Sequence, residues 1–200
     1  MWEKNVIYTR EYSGIPFDRR EILRYARCRG ENAAGESLLD ECVPKAEKEI
    51  SFRVCYGFFD CITNETGVRF PFSKIVSADL ASHLRGCGGA LIFAATAGAG
   101  IDRLIARYSA VSPSRALMFS AIGTERVEAL CDRFCEDIGR EAVLTQRFSP
   151  GYGDLDIFSQ KIFLSVLDAS RHAGITLSES MLMSPSKSVT ALCGVKSRTE

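Results

Sequence analysis

The sequence predicts an α+β fold, a single domain with a twisted, mostly antiparallel sheet flanked by helices. Three observations predict it. Strand-like and helix-like segments interleave irregularly rather than as βαβ repeats. A hairpin pattern stands near each end of the chain. The one glycine-rich strand–helix unit, at mid-chain, has no clean parallel strand after it. No Pro/Gly/Ser linker, internal repeat or low-complexity segment divides the 200 residues, so positions 1–200 read as one domain.

Val6 to Tyr8 reads as a short strand. Asp18 and Glu21 form a capping-box pattern ahead of the apolar stripe Ile22, Leu23, Tyr25 and Ala26, with Gly30 as the stop. A second helix is expected from a Ser37 cap, kinked by Pro44. Phe52, Val54, Tyr56 and Phe58 alternate with Arg53, Cys55 and Gly57, the pattern of a half-buried strand. A turn at Asn64 to Gly67 then returns Val68 to Phe70 as its hairpin partner.

Ser77 caps a helix carrying Leu80, Ala81 and Leu84 and ending at Gly86. Ala90 to Ala95 is an apolar run of strand length, followed by Gly98, Gly100 and a helix over Ile101 to Tyr108. Ser112 with Pro113 opens a long helix reaching Gly139. Its stripe is Val127, Leu130, Cys131, Phe134 and Ile138. Arg147 to Asp154 is a loop, and Phe158, Ile162, Phe163, Val166 and Leu167 mark a helix that stops near Gly174. The tail, Thr176 to Cys193, reads as two short strands around Ser184-Pro185-Ser186.

Apolar residues make up 46% and charged residues 25%, a globular composition. A chain this long buries roughly 70% of its unfolded surface and needs no disulfide or metal staple. Lys plus Arg and Asp plus Glu number 25 each, so no bulk field favours nucleic acid or anionic membrane. The eight cysteines are scattered without a CxxC pair, and there are two histidines, so zinc spacing is absent. The charged N-terminus has no apolar signal core, and Gly88 to Ile101 is too short for a membrane span of about 20 residues. A reducing, cytoplasmic setting is expected, with the cysteines packed as small hydrophobes.

Four constellations can carry chemistry. Ala95-Thr96-Ala97-Gly98-Ala99-Gly100 sits between strand and helix, either as a phosphate or carboxylate cradle or as a tight packing turn. Arg103 stands where the dinucleotide fingerprint wants a third glycine. Cys131 and Cys135 share a helix face as a ligand or redox pair, or simply as core. Arg147-Phe148-Ser149-Pro150-Gly151-Tyr152-Gly153-Asp154 places a type II turn between a guanidinium fork and an aromatic face. Leu177 to Ser180 with Met183 to Ser188 reads as a solvated hairpin.

The 147–154 loop and the segment Gly174-Ile175-Thr176-Leu177-Ser178-Glu179-Ser180-Met181-Leu182-Met183-Ser184-Pro185-Ser186-Lys187-Ser188-Val189-Thr190-Ala191-Leu192-Cys193-Gly194 resemble the activation (reactivation) domain of vitamin B12-dependent methionine synthase. Ala81 to Cys87 and Gly100 to Tyr108 look like the short stand-alone form of that domain. The resemblance is strongest over 73–194. It implies S-adenosylmethionine as ligand and cobalamin held by a partner, the cobalamin-binding methionine synthase subunit. It also implies a flavodoxin- or ferredoxin-type electron donor. The implied task is reductive methylation of oxidised cobalamin, with no catalytic residues in this chain. An accessory role for another corrinoid methyltransferase is the alternative; a Rossmann-type methyltransferase using the 95–100 loop is a further one.

The implied ligand contacts are Arg147 to the carboxylate, Ser149, Pro150 and Gly151 through the turn backbone, Tyr152 to the sulfonium, and Glu128 to the ammonium. Glu179 and Cys193 are secondary. The chain departs from the long multidomain enzyme at Gly153, where the family has proline, and at Cys193, where it has a ligand-contacting tyrosine. An acidic ligand residue near the start of the family domain has no counterpart here.

Overall fold

The computed structural model describes residues 3–28, 30 and 32–196. Along the chain, β1 (Ile7–Tyr12) leads to helices α1 (Arg19–Tyr25) and α2 (Ala33–Glu47). Strand β2 (Phe52–Phe59) is followed by three short strands, β3 (Ile62–Asn64), β4 (Gly67–Arg69) and β5 (Lys74–Val76), and by α3 (Ala78–His83). Then come β6 (Gly89–Thr96), α4 (Gly100–Ser109), α5 (Pro113–Gly139) and β7 (Val143–Leu144). The chain continues through α6 (Ser159–Val166), α7 (Ala169–Ala173), β8 (Thr176–Leu177), β9 (Met183–Ser184) and β10 (Ser188–Lys196).

The main sheet runs β1-β2-β6-β10-β7, and every neighbouring pair is antiparallel. The expected α+β class with an antiparallel sheet is therefore what the chain adopts. Both faces of the sheet are covered. Val54, Tyr56, Phe93 and Cys193 point to one face, against Val127, Leu130, Cys131 and Phe134 of α5. Cys55, Ile92, Ala94 and Leu192 point to the other, against α3, α6 and α7. This strict alternation follows from the two-residue period of a strand. Phe134 is fully buried, with ring centroids 5.0 Å from Tyr56 and 4.9 Å from Phe93. Truncating a ring so placed costs about 3–5 kcal/mol. A third cluster joins α1, α2 and α4 to the first half of α5 through Ile22, Leu39, Ile101 and Phe119.

Several sequence expectations are corrected. The first strand extends to Tyr12, because it pairs with β2 along its whole length. Helix α1 keeps its Asp18 cap but stops at Ala26, where Arg27 takes φ +59, before Gly30 is reached. Helix α2 starts at an Asn32 cap that accepts from Gly35 N, so Ser37 is interior. Strand β2 is buried on both faces except at Arg53, because Cys55 and Gly57 are small buried residues rather than solvent-facing ones. Val68 pairs with Thr63 and Ile75 in a separate small sheet, not with β2. The helix expected over 158–174 breaks at Asp168, φ +43, into α6 and α7. The tail is not two short strands. Only β8 and β9 form a short hairpin, and β10 is a nine-residue strand pairing with β6 on one side and β7 on the other. Among the described residues, no helix is long and apolar enough to cross a membrane.

Candidate functional site

The site begins with a helix ridge. Glu128, Asp132 and Cys135 follow one another along α5 at i, i+4 and i+7, so their side chains leave the helix on one side. The stripe Val127, Leu130, Cys131 and Phe134 holds that helix on the sheet. Opposite the ridge, the chain leaving β7 stays pinned to β10. Thr145 N donates to Gly194 O at 2.9 Å, and Phe148 and Leu192 exchange backbone bonds at 2.9 Å. Alternation along this extended stretch sends Phe148 into the α3–α6 core beside His83, at 5.0 Å between ring centroids. It sends Arg147 the other way, toward α5.

The turn that follows is type II. Tyr152 N donates to Ser149 O at 3.0 Å, and Gly151 carries φ +91, the left-handed position that glycine fills without strain. Asp154 ties the loop to the start of α3, accepting from Ser77 Oγ at 2.5 Å and from Ala78 N at 2.8 Å.

Between ridge and loop lies a cavity of about 410 Å³, with Glu128, Asp132, Cys135, Arg147, Ser149 and Tyr152 in its walls. Arg147 Nη2 stands 3.0 Å from Glu128 Oε2 and 2.9 Å from Asp132 Oδ1. Burial works against the Arg147 charge. The facing carboxylates of Glu128 and Asp132, with the thiols of Cys131 and Cys135, outweigh that and hold its pKa above the ordinary value. A second hollow of about 580 Å³ adjoins this one, sharing Glu128 and Asp132 and bounded by Asp18, Tyr25 and Glu136. Together the two suit an elongated, positively charged ligand, within the size range of about 300–1,000 Å³ usual for small-molecule sites. A cavity of about 430 Å³ at the far end of the sheet is mainly apolar, lined by Phe58, Ala90 and Val195, with Lys4 paired to Asp60 at 2.6 Å. Opposed charges converge at the Arg147 cavity instead.

Glu128, Arg147, Ser149 and Tyr152 therefore come together. Pro150 is buried and Gly151 shapes the turn at the surface, and neither is among the residues of this cavity. Cys193 is buried on β10, behind Cys135. Glu179 is exposed on the turn between β8 and β9 and is not among the residues of this cavity. Asp132 escaped the sequence reading, although its place one helical turn after Glu128 was a usable signal.

The glycine loop 95–100 is a packing turn. A Cβ on Gly98 would meet Ser51 Oγ at 2.2 Å, and one on Gly100 would meet Glu49 O at 2.1 Å. The chain after α2 covers the loop, and Ser51 N donates to Ala97 O at 3.0 Å. With an antiparallel sheet around β6, the Rossmann reading fails. The solvated hairpin expected from Leu177–Ser180 with Met183–Ser188 forms as β8 and β9 with Ser178 to Ser180 exposed, but residues 185–188 turn back onto the protein: Ser186 N donates to Asp102 Oδ2 at 2.7 Å, and Lys187 Nζ donates to Ser120 Oγ and Thr124 Oγ1 at 3.0 Å. Among the described residues, no group of three or more His, Cys, Asp or Glu is placed to hold a metal ion.

No family model matches the chain, and no curated protein sequence matches it. Its fold is nonetheless similar to that of a solved structure, the crystal structure of the MetH reactivation domain bound to AdoHcy. The TM-score is 0.72 at 16% sequence identity, over 98% of this chain and 80% of that one. The chain has the reactivation-domain fold. At that identity the likeness speaks for the fold, which is the one the 147–154 and 174–194 segments led us to expect.

Proposed function

We propose that this chain is a reactivation subunit for a cobalamin-dependent methionine synthase. In this reading it binds S-adenosylmethionine and presents the methyl group to reduced cobalamin on a partner protein. The observation that carries the reading is the meeting of Arg147 with Glu128 and Asp132 in one cavity of a reactivation-type fold. The amino-acid end of S-adenosylmethionine is a zwitterion. Its carboxylate takes the Arg147 fork, and its ammonium takes Glu128 and Asp132. Until the ligand arrives, the protein's own acids and base satisfy one another, which avoids a half-buried unpaired charge.

Tyr152, 56% exposed, presents a ring face to the sulfonium. Methyl transfer converts that sulfonium into a neutral thioether, so the attraction to the ring and to the two carboxylates weakens once the methyl has left. The AdoHcy (S-adenosylhomocysteine) held by the structural neighbour is the corresponding demethylated product, which supports a nucleoside-sulfur ligand here. The partner's cobalamin supplies the nucleophile, and a flavodoxin- or ferredoxin-type protein supplies the electron. No side chain of this chain needs to move a proton; its contribution is position. Eight free thiols support a reducing, cytoplasmic compartment.

The test is reconstitution. The cobalamin-bearing partner in its inactive oxidised form is given a chemical reductant and S-adenosylmethionine labelled in the methyl group, with and without this chain. Label transfer that depends on the chain supports the reading; transfer at the same rate without it contradicts it.

A further inference from the structure

Arg147 lies between two peptide planes that are held in different ways. The plane after it belongs to the sheet, because Phe148 N donates to Leu192 O at 2.9 Å. The plane before it is held by a side chain instead. Leu144 pairs with Val195 and Phe148 with Leu192, so the outer strand takes four steps where β10 takes three. One residue of 145–147 is therefore surplus. Such a bulge interrupts the ladder and re-aims a side chain. Thr145 Oγ1 stands in for a backbone acceptor here, taking the Gly194 N–H at 2.8 Å.

The Gln146 carbonyl meets His83 at the end of α3. His83 Nε2 is 2.9 Å from Gln146 O. A carbonyl accepts and cannot donate, so Nε2 carries the ring hydrogen. Thr145 Oγ1, 2.9 Å from the same nitrogen, turns its own hydrogen to Gln146 O at 3.1 Å. The imidazole rests against the Phe148 ring, which is packed in the core beneath it. Helix α3 thus braces the loop at both ends: Asp154 grips its first turn, and His83 in its last turn holds residue 146. His83 is not among the residues of the Arg147 cavity and reaches it only through the backbone.

We infer that His83 is a positioning residue for Arg147. A peptide unit is planar, so the Nε2–H that holds Gln146 O also holds the Arg147 nitrogen. With it is fixed the direction in which the Arg147 side chain leaves the chain toward Glu128 and Asp132. Without that bond the surplus residue can redistribute along 145–147, and the guanidinium loses its fixed aim at the carboxylate of a bound amino-acid end. The ligand part of the inference rests on the cavity being an S-adenosylmethionine site; the hold of His83 on Arg147 does not.

The test compares His83→Phe, which keeps a ring against Phe148 but has no donor, with His83→Gln, whose side-chain N–H stands as many bonds from Cβ as Nε2–H does. In calorimetric titration with S-adenosylmethionine, His83→Phe should bind about three- to tenfold more weakly, the worth of one hydrogen bond, and His83→Gln should recover to within about twofold. Affinity unchanged in His83→Phe, or no recovery in His83→Gln, would overturn the inference, since a merely structural loss is not restored by a donor. Nitrogen NMR of the unliganded protein tests the hold on Arg147 separately. The chain has two histidines, so the spectrum of His83→Gln assigns His83. At alkaline pH its neutral ring should carry the hydrogen on Nε2, and the Arg147 Nε–H signal should shift in His83→Phe and return in His83→Gln. Should the unsubstituted protein bind no S-adenosylmethionine, the functional reading fails and these signals alone judge His83. A ring hydrogen on Nδ1, or an Arg147 signal unmoved in His83→Phe, would then overturn the inference.

Discussion

The guanidinium of Arg147 reaches across the cavity to Glu128, Nη2 to Oε2, at 3.0 Å. The two residues reach one cavity from different elements of the fold. Arg147 sits on the extended segment after β7, fixed by backbone bonds to β10, and Glu128 sits on the outer ridge of α5. Asp132 makes the same contact one turn further on, at 2.9 Å. Surface ion pairs of this kind contribute only about 0–1 kcal/mol to stability. In the proposed reading, these charges neutralise each other until a zwitterion exchanges with them.

The wall beside this site depends on a buried pair. Arg126, 1% exposed, donates to Glu125 Oε2 at 2.5 Å, to Ile15 O at 2.7 Å and to Pro16 O at 2.6 Å. Glu125 in turn accepts from Asp18 N at 3.2 Å. Removing one partner leaves the other charge buried, so Arg126→Met should cost about 3–5 kcal/mol in urea unfolding. The double variant Arg126→Met with Glu125→Leu should cost less than the sum of the two single changes.

Acid should release the loop from α3. Asp154 accepts from Ser77 Oγ, Ala78 N and Asp79 N, and these bonds, Ser77 first, hold its carboxyl below the ordinary value. A carboxyl whose pKa is lowered by folding lends stability in full above its unfolded pKa of about 3.9. That stability drains away as pH falls through the lower folded value. Asp154→Asn should therefore lower Tm at neutral pH, and the gap from the unsubstituted protein should close on acidification below about pH 4.

Gly153 cannot be the proline of the related loop. Its φ is +52, which proline cannot adopt, and a Cβ there would stand 2.2 Å from Asp79 Oδ2. That same oxygen accepts from Asp154 N at 3.1 Å. Gly153→Ala should cost about 1–2 kcal/mol in the backbone alone, and more through the lost Asp79 contact. Gly151→Ala meets only Ile157 Cδ1, at 3.6 Å, and should pay the backbone term without the clash. Thermal melts of the two variants check the order, with Gly153→Ala the less stable.

Much of this fold was legible where local signals were strong. Ser112-Pro113 and a regular stripe marked both ends of α5, and the caps at Asp18 and Ser77 are made as read. Signals failed where burial hides polar residues. Ser188 and Thr190 interrupt the apolar run of β10, yet Ser188 bonds Thr96 and Thr190 bonds Gln160 inside the protein. The break at Asp168 leaves no trace, because an aspartate in the left-handed region looks like any other. For the site, Pro150-Gly151 announced the turn, while Glu128 came only through family resemblance. Asp132 was lost because one helical turn of spacing means little until the partner across the cavity is known.

The central claim is that the Arg147 cavity takes the amino-acid end of S-adenosylmethionine. Calorimetric titration of the pure protein with S-adenosylmethionine, alone and with the cobalamin-binding partner, tests it most directly. The account predicts binding that is lost in Arg147→Ala. Glu128→Gln should weaken it by about ten- to a hundredfold, the worth of one charged hydrogen bond at about 1.5–3 kcal/mol, with folding retained in both variants. Absence of binding in either condition, or affinity unchanged by Arg147→Ala, would contradict it.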